Sequence, residues 1–172
     1  YRYVPILDCG KYYATETMVS HIKDNEEVVS EKEGLYSINE DLVFRGEKIN
    51  NYVSFAGHSW RIIKISGDKL FLIFNDKLDK QAWDVRYNTE RKSNVGINDY
   101  SVSRIRDYMN SLYSGNTLFS DSDKLLLSNF NLNIGKVGEN DDGKNIELER
   151  SNIIENQFIG LVTIRDYMNA SL

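Results

Sequence analysis

Three apolar runs in the middle of the chain, separated by two glycine-containing turns, constrain the fold more than any other feature. The runs lie between Tyr52 and Phe74 and are rich in Val, Ile, Phe and Trp, and the turns are Ala56–Ser59 and Ser66–Lys69. Strand-forming residues broken by glycine turns are typical of an antiparallel β-meander. We therefore predict an α+β fold with a meander core at about Tyr52–Phe74, two or three short helices and long loops.

Further strands extend this predicted sheet. Leu35–Ile38 and Leu42–Gly46 have the composition of short strands that lead into the meander. Strict alternation along the second meander strand predicts that Ile62 and Ile65 point to opposite faces. The nearly continuous apolar run Leu70–Phe74 predicts a central strand rather than an exposed edge.

Helical spacing of apolar residues predicts three helices, the third of them a short one ahead of three consecutive leucines. The residues that could cap their N-termini are, in chain order, Thr15 or Thr17, Ser101 or Ser103, and Ser120. A last strand is predicted at Gln157–Thr163. The hexapeptide Ile-Arg-Asp-Tyr-Met-Asn occurs twice, at Ile105–Asn110 and Ile164–Asn169. Since the flanks differ, we interpret it as local convergence on one amphipathic helical turn rather than as a repeat architecture.

The length of 172 residues fits one domain. We interpret residues 1–172 as a single domain in which residues 1–33 are a lead-in with the first helix. The chain starts at Tyr1 rather than Met and stops at Leu172 directly after an expected element. We therefore expect it to be a fragment of a longer protein.

Charge, hydropathy and cysteine content exclude several functions. The formal net charge is -5, whereas a general nucleic-acid binder needs a basic surface to neutralise phosphates. No apolar run approaches the roughly 20 residues of a membrane span. Cys9 is the only cysteine, so neither an internal disulfide nor a multi-cysteine zinc site can form. We interpret Cys9 as a small buried or unpaired thiol. The alternatives are a nucleophile paired with His21 or His58, and a disulfide to a cysteine outside this chain.

An acidic loop, Gly138–Glu149, places oxygen ligands at partly EF-hand-like spacing. The residues that could bind calcium are Asn140, Asp141, Asp142 and Glu149. The first position is Gly138, where the motif needs an acid, and Lys144 adds a positive charge. A solvated loop is therefore the preferred interpretation, with a calcium site as the alternative.

The loop after Phe74 contains the other candidate site residues. Trp83 is the aromatic residue least committed to the core, and with Asp84 it forms a candidate ligand-binding pair, because aromatic rings can stack on sugars. Asp76, Asp79 and Asp84 could instead supply paired carboxylates for hydrolysis. That alternative requires a pocket and shifted pKa values.

Three spaced motifs suggest a family. They are Asn50–Ile63, with Asn-Asn-Tyr-Val-Ser-Phe followed by Trp-Arg-Ile-Ile; Gln81–Asp84, with Gln-Ala-Trp-Asp; and Ile159–Ser171. Together they resemble an uncharacterised domain family of surface and secreted proteins in Gram-positive, low-GC bacteria. The resemblance covers roughly residues 34–172. It implies an α+β domain, distantly comparable to C-type-lectin and formylglycine-generating-enzyme-like folds. The paired cysteines of the formylglycine-generating enzymes have no counterpart, so their oxidase chemistry is not implied.

The leading hypothesis is therefore a non-catalytic extracellular or cell-surface module of a Gram-positive bacterium. It would act in adhesion, in binding a protein or glycan ligand, or as a pilus component. One rival is a carboxylate-based hydrolase that uses the loop after Phe74. Another is a structural subunit whose sheet is completed by a strand from a neighbouring chain, since an open sheet edge allows self-association.

Overall fold

The computed structural model describes residues 17–135 and 150–171. These residues form two compact units. The first unit contains the described residues up to Asp76 and those from Arg165 onward, and the second runs from Lys77 to Ile164. Both contain antiparallel strands and helices, which confirms the predicted α+β class. None of the helices within the described ranges has the length and apolarity that a membrane crossing needs.

A five-stranded antiparallel sheet forms most of the first unit. Its strands are β1 (Gly34–Ile38), β2 (Asp41–Arg45), β3 (Tyr52–Phe55), β4 (His58–Ser66) and β5 (Lys69–Phe74). β5 pairs with one edge of β4, while β3 and β2 share its other edge and β1 pairs with β2. The predicted meander and the two strands before it are confirmed.

β4, not β5, is the central strand of this sheet. Within the described residues β5 pairs only with β4, and all six of its residues are partly rather than fully buried. The prediction that Leu70–Phe74 forms a central strand is wrong. The physical reason is the length of β4, whose nine residues can pair with three strands.

A β-bulge in β4 decides which of its side chains enter the core. The register with β5 shifts between Ile62 and Lys64, so Ile63 is the extra residue. This extra residue changes the alternation, and Ile62 and Ile65 both belong to one core cluster. The prediction that they point to opposite faces is wrong, because it assumed an uninterrupted strand.

Helices pack against the sheet of the first unit. Helix α1 (Met18–Asn25) starts at Thr17, one of the two predicted caps, and contributes Ile22 to the core cluster. The last helix, which follows the second unit, is Ile164–Ala170. Gly46, which directly follows β2, donates its N–H to Ala170 O at 3.1 Å and so satisfies one C-terminal carbonyl group of this helix.

The described part of the second unit contains three helical segments and two short strands. They are a 3-10 helix (Tyr100–Val102), α2 (Arg104–Ser114), α3 (Asp121–Lys124), β6 (Phe130–Asn133) and β7 (Ile153–Gln157). The last helix of the chain, Ile164–Ala170, is called α4. β6 and β7 pair antiparallel. Ser103 caps α2 and Ser120 caps α3, which confirms these two helix starts. α3 has only one turn, and Leu125 and Leu126 beyond it are exposed.

The last strand lies earlier in the chain than predicted. Gln157 is the final residue of β7, so the predicted strand Gln157–Thr163 is wrong. Beyond it, the Phe158 ring stacks on Tyr113 with the centroids 4.3 Å apart. Gly160 then passes so close to β6 that an added Cβ would lie 3.2 Å from Leu132 Cδ2. The apolar residues after Gln157 therefore pack on neighbouring elements instead of extending the sheet.

Candidate binding site

A buried carboxylate, Asp84, organises part of the long loop between β5 and α2. Its side chain has no exposed surface. It accepts hydrogen bonds from the backbone N–H groups of Val85 at 2.9 Å and Ile97 at 3.1 Å, and Arg86 Nε lies 3.0 Å from each carboxylate oxygen. These donors offset the cost of burying a charge. Through the bonds from Val85 and Ile97, the Asp84 carboxylate links the two ends of the segment 83–97. We call this segment the Asp84 loop.

The same hydrogen bonds determine the protonation state of Asp84. The side chain of Arg86 is the main cause that lowers the Asp84 pKa from 3.8 to about 2; burial acts in the opposite direction, and the backbone N–H groups of Ile97, Arg86 and Val85 lower the pKa further. Asp84 is therefore ionised at neutral pH.

The backbone of the Asp84 loop closes tightly at Gly96. This residue has a φ of 75°, and an added Cβ would lie 2.6 Å from the Asp84 carbonyl oxygen. Gly96 N donates to Arg86 O at 3.0 Å, and Asn88 Nδ2 donates to Gly96 O at 2.8 Å. A side chain at position 96 would force the two arms of the loop apart.

Trp83 lies at the start of this loop with 42% of its surface exposed. Its ring also packs on the buried Tyr100, with the centroids 5.8 Å apart. Its carbonyl oxygen accepts from Ile105 N at 3.0 Å, so the start of α2 holds its backbone. An aromatic side chain fixed in this way loses little conformational freedom when a ligand binds.

Other apolar side chains of the Asp84 loop are also exposed. The exposed fractions of Val85, Tyr87 and Val95 are 48%, 55% and 55%. A single exposed apolar side chain is ordinary at a protein surface, but several on one ordered loop are typical of a contact surface. The Asp84 loop is therefore the candidate ligand-binding surface of the described residues.

The three carboxylates considered for hydrolysis differ in their surroundings. Asp76 belongs to the first unit and Asp79 to the second, and both are exposed. Asp84 is buried, and its lowered pKa is the opposite of the raised pKa that a general acid needs at neutral pH. The geometry gives Asp84 the role of holding the loop.

The predicted calcium ligands lie outside the described residues: Asn140, Asp141, Asp142 and Glu149. Cys9 also lies outside them. Within residues 17–135 and 150–171, no group of three or more His, Cys, Asp or Glu side chains is placed to hold a metal ion. The ring of His58 packs against Phe74, with the centroids 5.3 Å apart.

Arg86 and Gly96 complete the loop, although no sequence motif marks either residue. Arg86 comes two residues after Asp84, and in an extended segment such side chains can reach the same side of the backbone. That spacing is the signal that could have paired them. The bond to Ile97 has no comparable local signal, because it joins residues 13 positions apart.

Comparison of the chain with protein-family models, with curated proteins and with solved structures found no match. The likeness to a Gram-positive surface domain therefore stays a prediction from the motifs.

Proposed function

We propose that this chain is a non-catalytic binding module at the surface of a Gram-positive bacterium, and that it contacts a glycan or protein ligand through the Asp84 loop. The observation that best supports this is the exposed indole of Trp83 on a loop held by a buried carboxylate. Aromatic side chains of this kind are common anchors for ligands. The extracellular location rests on the family-like motifs, and adhesion is the role that such a location favours.

Trp83 and Asp84 have different roles in this proposal. Trp83 touches the ligand, because its ring reaches the surface. Asp84 positions the loop through Val85 and Ile97, since its carboxylate is enclosed. Replacing Trp83 should therefore weaken binding directly, while replacing Asp84 should weaken it by loosening the loop.

A glycan array combined with binding to whole cells tests the proposal. Trp83→Ala should weaken binding to any ligand found by about thirtyfold, the loss of one anchoring aromatic. Tyr167→Ala is the matched control, because Tyr167 is an exposed aromatic of the other unit and should keep full binding. The absence of any ligand on arrays and cells, together with a cytoplasmic location of the full-length protein, would contradict the proposal.

A second candidate is a pilus or other structural subunit, and one observation favours it. All six residues of β5 are only partly buried, although its sequence is strongly apolar. A strand from a neighbouring copy could cover this surface. Light scattering over a range of concentrations should then detect oligomers, and a strict monomer at every concentration argues against this candidate.

The hydrolase alternative makes a different prediction. It requires that Asp76→Asn, Asp79→Asn or Asp84→Asn abolish turnover of some glycan or peptide substrate without loss of stability. The contacts of Asp84 favour the non-catalytic module, because they predict that Asp84→Asn alters the stability of the loop. Thermal melting of the three variants distinguishes the hydrolase from the binding module, because only the module predicts a changed melting temperature for Asp84→Asn.

A further inference from the structure

A cleft of about 420 Å³ opens in the second unit beside α2 and the end of β7. Its volume is within the range of roughly 300–1,000 Å³ that is usual for small-molecule sites. One wall is a polar stripe of α2, in which Asp107, Asn110, Ser111 and Ser114 follow one another at helical spacing. These side chains favour a polar ligand over an apolar one.

The opposite wall contains a buried hydrogen-bond acceptor. Gln157 is 8% exposed, and its Nε2 donates to Glu155 O at 3.0 Å. Gln157 Oε1 is buried and accepts no hydrogen bond within the described residues. An unsatisfied buried acceptor is costly, so buried amides normally have a partner. Because Oε1 has almost no accessible surface, a ligand hydroxyl group can donate to it only after the Gln157 side chain turns toward the cleft.

Contacts between side chains hold both walls in place. The rings of Tyr113 on α2 and Phe158 after β7 are parallel, with 4° between their planes and 4.3 Å between their centroids. Asn129 Nδ2 donates to Asn156 Oδ1 at 3.0 Å, which fixes an amide on the β7 wall. A cleft that is already formed loses less entropy when it binds a ligand.

We propose that this cleft binds a neutral polyhydroxylated ligand, one saccharide unit of a glycan. The exposed carboxylate of Asp107 would accept from sugar hydroxyl groups, and the amide of Asn110 would donate to them. Gln157 Oε1 would accept from a further hydroxyl group once its side chain turns toward the cleft. The described lining contains no Lys or Arg to pair with an anion. It contains one carboxylate, whereas calcium takes about six to eight oxygen ligands.

The cleft is a different site from the Asp84 loop, because neither Trp83 nor Asp84 lines it. The two proposals can therefore fail separately. Titration of the labelled protein with glucose, galactose, mannose and N-acetylglucosamine, followed by amide chemical shifts, tests the cleft. We expect at least one sugar, added up to about 20 mM, to shift residues 107–114 and 156–159 with a Kd in the millimolar range.

Substitutions of residues that line the cleft test whether the sugar binds there. The double variant Asn110→Ala with Ser114→Ala, both exposed positions of α2, should weaken sugar binding about tenfold, equal to one or two hydrogen bonds. Asn131→Ala is the control, because Asn131 is exposed in the same unit and does not line the cleft. Gln157→Leu should also weaken binding, with circular dichroism confirming that it folds.

Three results would overturn this proposal. The first is no shift with any of the four sugars, and the second is shifts with calcium chloride or inorganic phosphate only. The third is sugar-induced shifts confined to residues 83–97, which would support the Asp84 loop and reject the cleft. Trp83→Ala, in contrast, should leave the shifts of residues 107–114 unchanged.

Discussion

The two units of this chain are stabilised in different ways. In the first, buried apolar side chains from α1 and three strands pack into one cluster: Ile22, Leu35, Phe44, Ile62 and Ile65. In the second, the corresponding cluster has three buried members, and the ionised Asp84 holds the long loop. Apolar packing is sensitive to lost volume, whereas a buried carboxylate is sensitive to protonation. The units should therefore fail under different perturbations.

The repeated hexapeptide shows the same difference on a smaller scale. Both copies are helical, in α2 and α4. In α2 the buried residue is Met109, whereas in α4 it is Arg165, and Tyr167 is 72% exposed. An identical local sequence thus sets the helix in both places, while the surrounding unit decides which side of it is buried.

The largest loss should come from removing volume in the first core. Ile65 is 1% exposed, so Ile65→Ala should lower the free energy of unfolding by about 2–5 kcal/mol. Ile164→Ala is the control, because Ile164 is 58% exposed and should change it by about 0.5 kcal/mol or less. Urea unfolding measures both, and equal effects would contradict the assigned core.

Methionine substitutions in the two hexapeptides come next in size. Met109 is 7% exposed, so Met109→Ala should cost about 2 kcal/mol or more. Met168 is only partly buried, and Met168→Ala should cost about half as much. Thermal melting of the pair compares identical local sequences directly. A larger effect at Met168 would show that the burial difference between the copies is wrong.

Acid should selectively destabilise the second unit. The Asp84 pKa is about 2 in the folded chain and 3.8 in its ordinary state, so its stabilising contribution is complete above pH 3.8 and is lost as the pH falls through about 2. Asp99 and Asp123 also have lowered pKa values, caused mainly by the hydroxyl groups of Ser101 and Ser120. Asp84→Asn should therefore flatten the acid dependence of melting without abolishing it. An unchanged pH profile would contradict the role of Asp84.

The smallest effect should come from the ion pair between Lys64 and Asp166. Lys64 Nζ lies 2.7 Å from Asp166 Oδ1, and the two side chains are 22% and 15% exposed. Because partly exposed pairs contribute little, Lys64→Met should cost about 1 kcal/mol or less. Unfolding at low and high salt checks this, since the difference from the wild type should shrink as salt screens the pair.

The sequence was a good guide where local rules decide the structure. The turn at Gly57 separates two strands as expected, and Ser103 and Ser120 cap helices because side-chain oxygens accept from the first free N–H groups. The central position of β4 and its bulge could not be read locally, because they depend on which strands pair. Trp83 could be identified as a candidate from its residue type and its position in a loop. The enclosure of the neighbouring Asp84 carboxylate could not be predicted, because it depends on a contact with Ile97, 13 positions away.

The central claim is that the buried Asp84 carboxylate holds a preformed loop. The most direct test is hydrogen exchange of the backbone amides of Val85 and Ile97. In the wild type both amides should exchange slowly, because each donates to the buried carboxylate. In Asp84→Asn they should exchange at least about tenfold faster, while the amide of Ile65 in β4 keeps its protection. Fast exchange of Val85 and Ile97 in the wild type, or equal protection in both proteins, would contradict the account.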